Sequence, residues 1–375
     1  MRIAVNPFAE RTKYTAEEAR IVSCASAEHA REEISRWPGY AVTPLLSLRS
    51  LAAQMKVGML LYKDESKRLG RGSFKALGGA YAAMLGLRSY KGSGAPTLCC
   101  ATDGNHGLSV AHAARQYGCD CVVYVHEHAL EGKVAAMRAL GARVVRTAGT
   151  YDDSVEIAAR VASAQGWLLI PDTTSDPGDE TTRQVMQGYG VMSLEMIEQF
   201  GSIAVPSHVF IQAGVGGLAA SVVGVLADYY AEKRPAFIVV EPEPAACLLE
   251  SNLCLRPARV GGDLRTAMAM LSTGAASAAA WPILERRVDA FLAIDDSLAI
   301  SARARLTCPE NGDMPVDVGI SGAAGLAGLM QVMSSPKLCR LLRITMESSL
   351  LVLGTESGGD EAQPGQSVED SLEGR

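Results

Sequence analysis

The sequence predicts an α/β protein built on two open parallel sheets, and three observations carry that expectation. From residue 97 onward, short apolar runs of strand length alternate with segments of helical period, joined by brief loops. The first of these helical segments close near Gly118, Gly141 and Gly166, as helix C-termini commonly do. Composition points the same way. Of 375 residues 48% are hydrophobic but only 5% aromatic, and 37 are glycine, which suits helices packed closely on sheets better than an aromatic-rich β-sandwich. The length favours two domains, or one large domain with an insertion.

Taken in order, residues 16–37 read as a charged helix ended by Pro38-Gly39, and residues 40–47 as extended chain. Residues 59–63 read as a buried strand and 74–87 as a helix rich in small residues. A first βα series follows. Its strands are 97–101, 121–125, 143–146 and 167–170, and its helices 108–117, 130–140 and 152–164. Parallel pairing with right-handed crossovers is the expectation for that order. The polar loop 171–180 marks a boundary, after which a helix spans 181–199. A second series begins with strand 208–212, helix 218–232, strand 237–241 and helix 245–251. Beyond a less regular stretch come strand 288–294, helices 297–306 and 323–333, and strand 350–353.

The formal net charge is −6, which gives no basis for nucleic-acid binding. Residues 356–375 hold six acids against Arg375 alone and read as an acidic, disordered tail. No apolar run is long enough for a signal peptide or a membrane span, so a cytoplasmic protein is expected. The nine cysteines include no C-x-x-C pair and read mostly as small core residues in a reducing compartment. His126-Glu127-His128 alternates faces and lacks suitably spaced partners, so no metal site is expected.

Residues 63–81, KDESKRLGRGSFKALGGAY, organise the functional reading. A lysine at a strand–loop–helix junction can be held still and partly desolvated. Burial lowers its pKa and frees a nucleophilic amine of the kind Schiff-base chemistry needs. Taken alone, Lys75 reads better as a solvated lysine opening a helix. Thr102-Asp103-Gly104-Asn105-His106-Gly107 joins a strand end to a helix start, where ligands bind in open α/β sheets. Its glycines can leave N–H groups free for a carboxylate, and Asn105 can donate to a phenolic oxygen. Asp103 reads as an acid or base, or as a helix cap. Residues 212–219, QAGVGGLA, form a glycine-rich strand-to-helix loop suited to a phosphate, and they also fit the dinucleotide fingerprint. Thr355 ends the last strand, where a hydroxyl can meet a ring nitrogen. Asp172 ends another, facing the cleft or capping a loop.

In that order Ser73-Phe74-Lys75, residues 102–107 and the loop 214–217 resemble the fold-type II pyridoxal phosphate enzymes, a tryptophan synthase β-like fold. Within them the chain is similar to the diaminopropionate ammonia-lyases. The closer signs include GRGSFKALGGAYA, ATDGNHG, Met186-Gln187-Gly188-Tyr189, Val240-Glu241-Pro242, Gly261-Gly262-Asp263 and Thr355-Glu356. The resemblance implies a large cofactor-binding domain (residues 1–77 and 190–355), a small domain (78–189) and the cofactor, pyridoxal 5′-phosphate, in the cleft between the two sheets. It implies that Lys75 carries the Schiff base, Phe74 lies against the ring and Asn105 bonds the 3′ oxygen. Gly214, Val215, Gly216 and Gly217 would hold the phosphate, and Thr355 would meet the pyridine nitrogen. Lys75, Asp103 and Asp172 would be catalytic, with Thr102, Asp103, Gly104 and His106 around the amino-acid substrate.

The implied reaction is α,β-elimination of D- or L-2,3-diaminopropionate to pyruvate and ammonia by a homodimer. Two stretches depart from the family pattern. Ile320 stands where glutamate is usual, and residues 175–180 replace an aromatic-containing stretch. Both bear on the substrate rather than the cofactor. A serine/threonine-type or hydroxyaspartate dehydratase and a β-replacement synthase therefore stay open. A Rossmann-type dehydrogenase would leave Lys75 and Asn105 without a task, and a catalytically silent binding subunit would not need the lysine.

Overall fold

The computed structural model describes residues 2–359 apart from 93, 103, 202–204 and 311. Its eleven strands are β1 (Arg2–Val5), β2 (Leu45–Ser47), β3 (Met59–Asp64), β4 (Thr97–Thr102), β5 (Asp120–Val125), β6 (Arg143–Arg146), β7 (Leu168–Leu169), β8 (His208–Gln212), β9 (Ala236–Pro242), β10 (Ala290–Ile294) and β11 (Ser349–Gly354). They form a seven-stranded sheet, β1-β10-β9-β8-β11-β3-β2, and a four-stranded sheet, β6-β5-β4-β7.

The small sheet is parallel throughout, as the alternating pattern predicts. The large sheet is parallel only in its interior. β1 runs antiparallel to β10 and β2 antiparallel to β3. The expected pair of open parallel sheets is thus present, with one antiparallel strand added at each edge of the larger one. Both edge strands are short, and β1 was not anticipated at all. Four residues at a sheet edge carry too little alternation to stand out.

Residues 16–37 form two helices rather than one, Ala16–Ala19 and Cys24–Ile34. Thr15 and Ser23 each cap a helix start through a reciprocal box, so the second cap interrupts what composition alone reads as continuous. Helices Arg49–Met55, Trp281–Arg287 and Pro336–Leu342 also went unpredicted; each is only seven residues long.

The order β9-β8-β11 contains a topological switch. From β8 the chain steps outward to β9 and β10, then returns to the other side of β8 as β11. Such a point opens a crevice beyond the strand ends. The glycine loop follows β8 and Thr355 follows β11, so both border that crevice.

The lysine-bearing loop is anchored from below by a buried charge network. Lys63 and Arg68 bond Glu195 at 3.0 and 2.7 Å, and Arg68 bonds Glu65 at 2.7 Å, all four side chains being fully buried. Arg68 therefore spends its charge on carboxylates rather than on a phosphate. From above, Phe74 N–H donates to Thr355 O at 3.1 Å and Ser73 bridges to Glu356.

Helices Lys75–Ser89 and Glu180–Phe200 cross in near contact through Gly78 and Gly188. A Cβ on Gly78 would lie 2.4 Å from the Tyr189 ring, and one on Gly188 would lie 2.8 Å from Gly78 Cα. The close crossing seats Tyr189 edge-on against Phe74, with ring centroids 4.7 Å apart. Such a pair contributes about 1 kcal/mol beyond its buried area.

Glu356 does not belong to a disordered tail. It is 5% exposed and bridged to Ser73 in the lysine loop, and the chain remains described to Gly359. The composition of the following residues masked this position. Residues 360–375 lie outside the described residues.

Candidate active site

One cavity collects the ends of both sheets. Phe74, Lys75, Thr102, Gly104, Asn105, His106, Asp172, residues 214–217 and Thr355 all line it. Every predicted site residue except Asp103 is thus brought to a single place. Asp103 lies outside the described residues.

Lys75 opens its helix, and its ammonium is ion-paired with Asp172 just beyond β7. Tyr151 Oη donates to the other carboxylate oxygen of Asp172 at 2.6 Å. Burial raises the Asp172 pKa, but the Lys75 charge, His106 and the hydrogen bonds from Lys75 and Tyr151 outweigh it. The carboxyl is held well below its usual range.

Asn105 begins its helix, and its Nδ2 donates to Glu356. His106 is fully buried and bonded to Ile170 O at 2.8 Å, and burial lowers its pKa. Thr102 Oγ1 accepts from the N–H groups of Gly104 (2.8 Å) and Gly107 (3.0 Å). Those two donors are therefore already engaged, contrary to the expectation that the loop glycines leave them for a carboxylate.

At β8, Gln212 Nε2 donates to Gly322 O (3.0 Å), Leu353 O (2.8 Å) and Thr355 Oγ1 (3.0 Å). The two protons of that NH2 group are shared among these three acceptors. The loop after β8 feeds helix Gly217–Tyr230, whose N-terminus faces the cavity. Gly216 has φ +99°, and a Cβ there would lie 2.8 Å from Leu284 Cδ1, so only glycine fits this cup.

Tyr151, Tyr189, Gln212 and Glu356 also line the cavity, and none of them was assigned a role from sequence. Tyr189, Gln212 and Glu356 lie within recognisable motifs, which was an available signal. Tyr151 gave none. His126 and His128 border a neighbouring surface cleft instead. All nine cysteines are free thiols. Cys99, Cys100, Cys121 and Cys247 are buried, whereas Cys254 and Cys308 are exposed rather than part of the core.

The donor set fits pyridoxal phosphate. A glycine cup at a helix N-terminus suits its phosphate, an amine faces the same cavity, and a hydroxyl at a strand end suits its ring nitrogen. Among the buried polar atoms of the lining that have no hydrogen-bond partner are Asn105 Oδ1 and Tyr189 Oη.

Comparison with known proteins agrees. The family model described as pyridoxal-phosphate dependent enzyme matches residues 36–339, and the chain belongs to that family. Its relatives include the diaminopropionate ammonia-lyase of Escherichia coli K12, 35% identical over 96% of this chain and 94% of that protein. The fold is similar to crystal structures of the Escherichia coli enzyme. One, with an aminoacrylate-PLP azomethine reaction intermediate, gives a TM-score of 0.87 at 33% identity. Another, with D-serine, gives 0.88 at 33% identity. In both, the match covers 96% of this chain and 94% of that one.

Proposed function

We propose that this chain catalyses α,β-elimination of 2,3-diaminopropionate, which with water yields pyruvate and two molecules of ammonia. The observation that carries the reading is the Lys75–Asp172 ion pair, set in one cavity with the glycine loop and Thr355. Bound pyridoxal phosphate supplies a carbonyl for Lys75 and an electron sink for the substrate Cα. The residues of the chain do the rest.

The loop 214–217 and the helix end behind it receive the phosphate. Phe74 would pack on the ring and Asn105 would donate to its phenolic oxygen. Thr355, a neutral hydroxyl, would leave the ring nitrogen unprotonated, which would favour prompt loss of the β-substituent over transamination. The Lys75 amine, once free, would serve as the base at Cα on one face. Asp103, assigned from resemblance alone, serves the opposite enantiomer. Thr102, Gly104 and His106 shape the substrate pocket.

Asp172 decides the leaving group. An ionised carboxylate accepts hydrogen bonds but has no proton to give. It can hold a β-ammonium group, which departs as ammonia without further protonation. A β-hydroxyl needs a proton donor. The site therefore favours an amine over a hydroxyl at Cβ.

Release of pyruvate from a panel of D- and L-amino acids tests this. Faster turnover of diaminopropionate than of serine is expected. Turnover of serine or threonine with none of diaminopropionate would replace this reading with a dehydratase. We also infer a cytoplasmic homodimer, supported by the family resemblance and the nine free thiols. Light scattering on the purified chain checks the dimer. No helix among the described residues is long and apolar enough to cross a membrane.

A further inference from the structure

Glu356 lies two residues beyond β11, next to Thr355, buried and lining the cavity. Its backbone is laced to the lysine loop on both sides. Phe74 N–H donates to Thr355 O at 3.1 Å, Ser357 N–H donates to Gly72 O at 2.8 Å, and Ser73 bridges to Glu356 itself. The carboxylate is therefore held in register with Lys75, and it accepts a hydrogen bond from Asn105 Nδ2.

The end of the Asn105 amide that faces this carboxylate is the NH2 group, which donates to it. A flipped amide would set Oδ1 against the carboxylate, acceptor against acceptor in a buried place. The NH2 group carries a second proton, which remains for another acceptor.

We propose that Glu356 is a positioning residue that locks Asn105 as a hydrogen-bond donor toward the phenolic oxygen of bound pyridoxal phosphate and so keeps that oxygen ionised. The inference rests on the cofactor assignment made above. A free amide in the same place offers the oxygen either a donor or an acceptor. When Oδ1 faces it, the oxygen keeps its proton and the cofactor absorbs in the near-ultraviolet rather than the visible.

The test is reconstitution of apo-protein with pyridoxal phosphate, read as the dissociation constant and the ratio of visible to near-ultraviolet absorbance. Glu356→Gln, which accepts either amide orientation, is expected to weaken cofactor binding about tenfold, the worth of one lost hydrogen bond, and to shift absorbance toward the near-ultraviolet. Asn105→Ala should show the same shift. Adding Glu356→Gln to Asn105→Ala should change neither quantity further.

Unchanged affinity and band ratio in Glu356→Gln would overturn the proposal. So would an undiminished effect of that substitution in the Asn105→Ala background, since Glu356 would then act on something other than the amide. If Glu356→Gln does not fold, Asn105→Ala still decides, and an unaltered band ratio there is equally fatal. Wild-type apo-protein that takes up no cofactor would instead remove the underlying assignment.

Discussion

The ammonium of Lys75 and the carboxylate of Asp172 meet as an ion pair at the point where the large and small sheets face one another. Asp172 is 7% exposed, so burial alone would push its pKa up, and the lysine charge reverses the sign. A group depressed in this way adds stability above its unfolded pKa and loses it as pH falls through the folded value. Lys75→Met removes the cation and leaves burial in command. The Asp172 pKa should then rise above its ordinary value of 3.8, and stability should fall with increasing pH instead. Urea unfolding at pH 5 and pH 8 checks this. The variant should lose on the order of 3 kcal/mol relative to wild type at pH 8 and distinctly less at pH 5.

Asp172→Asn keeps the size and removes the charge. If the carboxylate holds the β-ammonium of the substrate, kcat for pyruvate release from diaminopropionate should fall about a hundredfold or more. The loss on serine should be smaller, since its β-hydroxyl carries no charge to hold. Steady-state assays on both substrates give the ratio. Equal losses would place Asp172 in the support of Lys75 alone.

Thr355 Oγ1 lies 3.0 Å from Gln212 Nε2 on the wall of the cavity. Thr355→Asp substitutes an anion that would hold a ring nitrogen protonated. More electron density then drains into the ring. Pyruvate release should slow, and a fraction of turnovers should end with the cofactor as its amine, detectable by chromatography after denaturation. Exclusive pyruvate formation at the wild-type rate would argue that Thr355 does not reach the ring.

Much of this site was legible because its residues lie in short stretches at strand ends. Residues 102–107 and 212–217 pair glycines with an abrupt change of hydrophobic period, and both resolve to strand-to-helix turns on the cavity. Lys75 was legible only in company, since a lysine at a helix start carries no signal of its own. Long-range pairings were not legible. Tyr151 and Asp172 come from different elements, and no local pattern says that they meet. Glu356 was concealed by acidic neighbours, because composition reports an average over a segment while burial is decided residue by residue. Nor does local pattern say that Arg68, a basic residue near the lysine, turns its charge inward to Glu65 and Glu195.

Glu241, within β9, is a carboxylate of the opposite kind to Asp172. Burial pushes it up to about 8, against the pull of the Leu248 and Leu249 N–H groups, which donate to its two oxygens at 2.7 and 2.8 Å. A folded pKa above the ordinary value of 4.5 means that the folded chain keeps a proton the unfolded chain has released. Stability from this residue is present below pH 4.5 and declines as pH rises toward 8. Glu241→Gln removes the titration. It also turns an NH2 group toward one of those backbone donors, at a cost of about 1 kcal/mol or more at low pH. Urea midpoints measured from pH 5 to pH 9 should therefore fall more steeply in wild type than in the variant, so that the two curves converge with increasing pH. Parallel curves would show that the carboxylate stays ionised throughout, its burial fully offset by the helix end it caps.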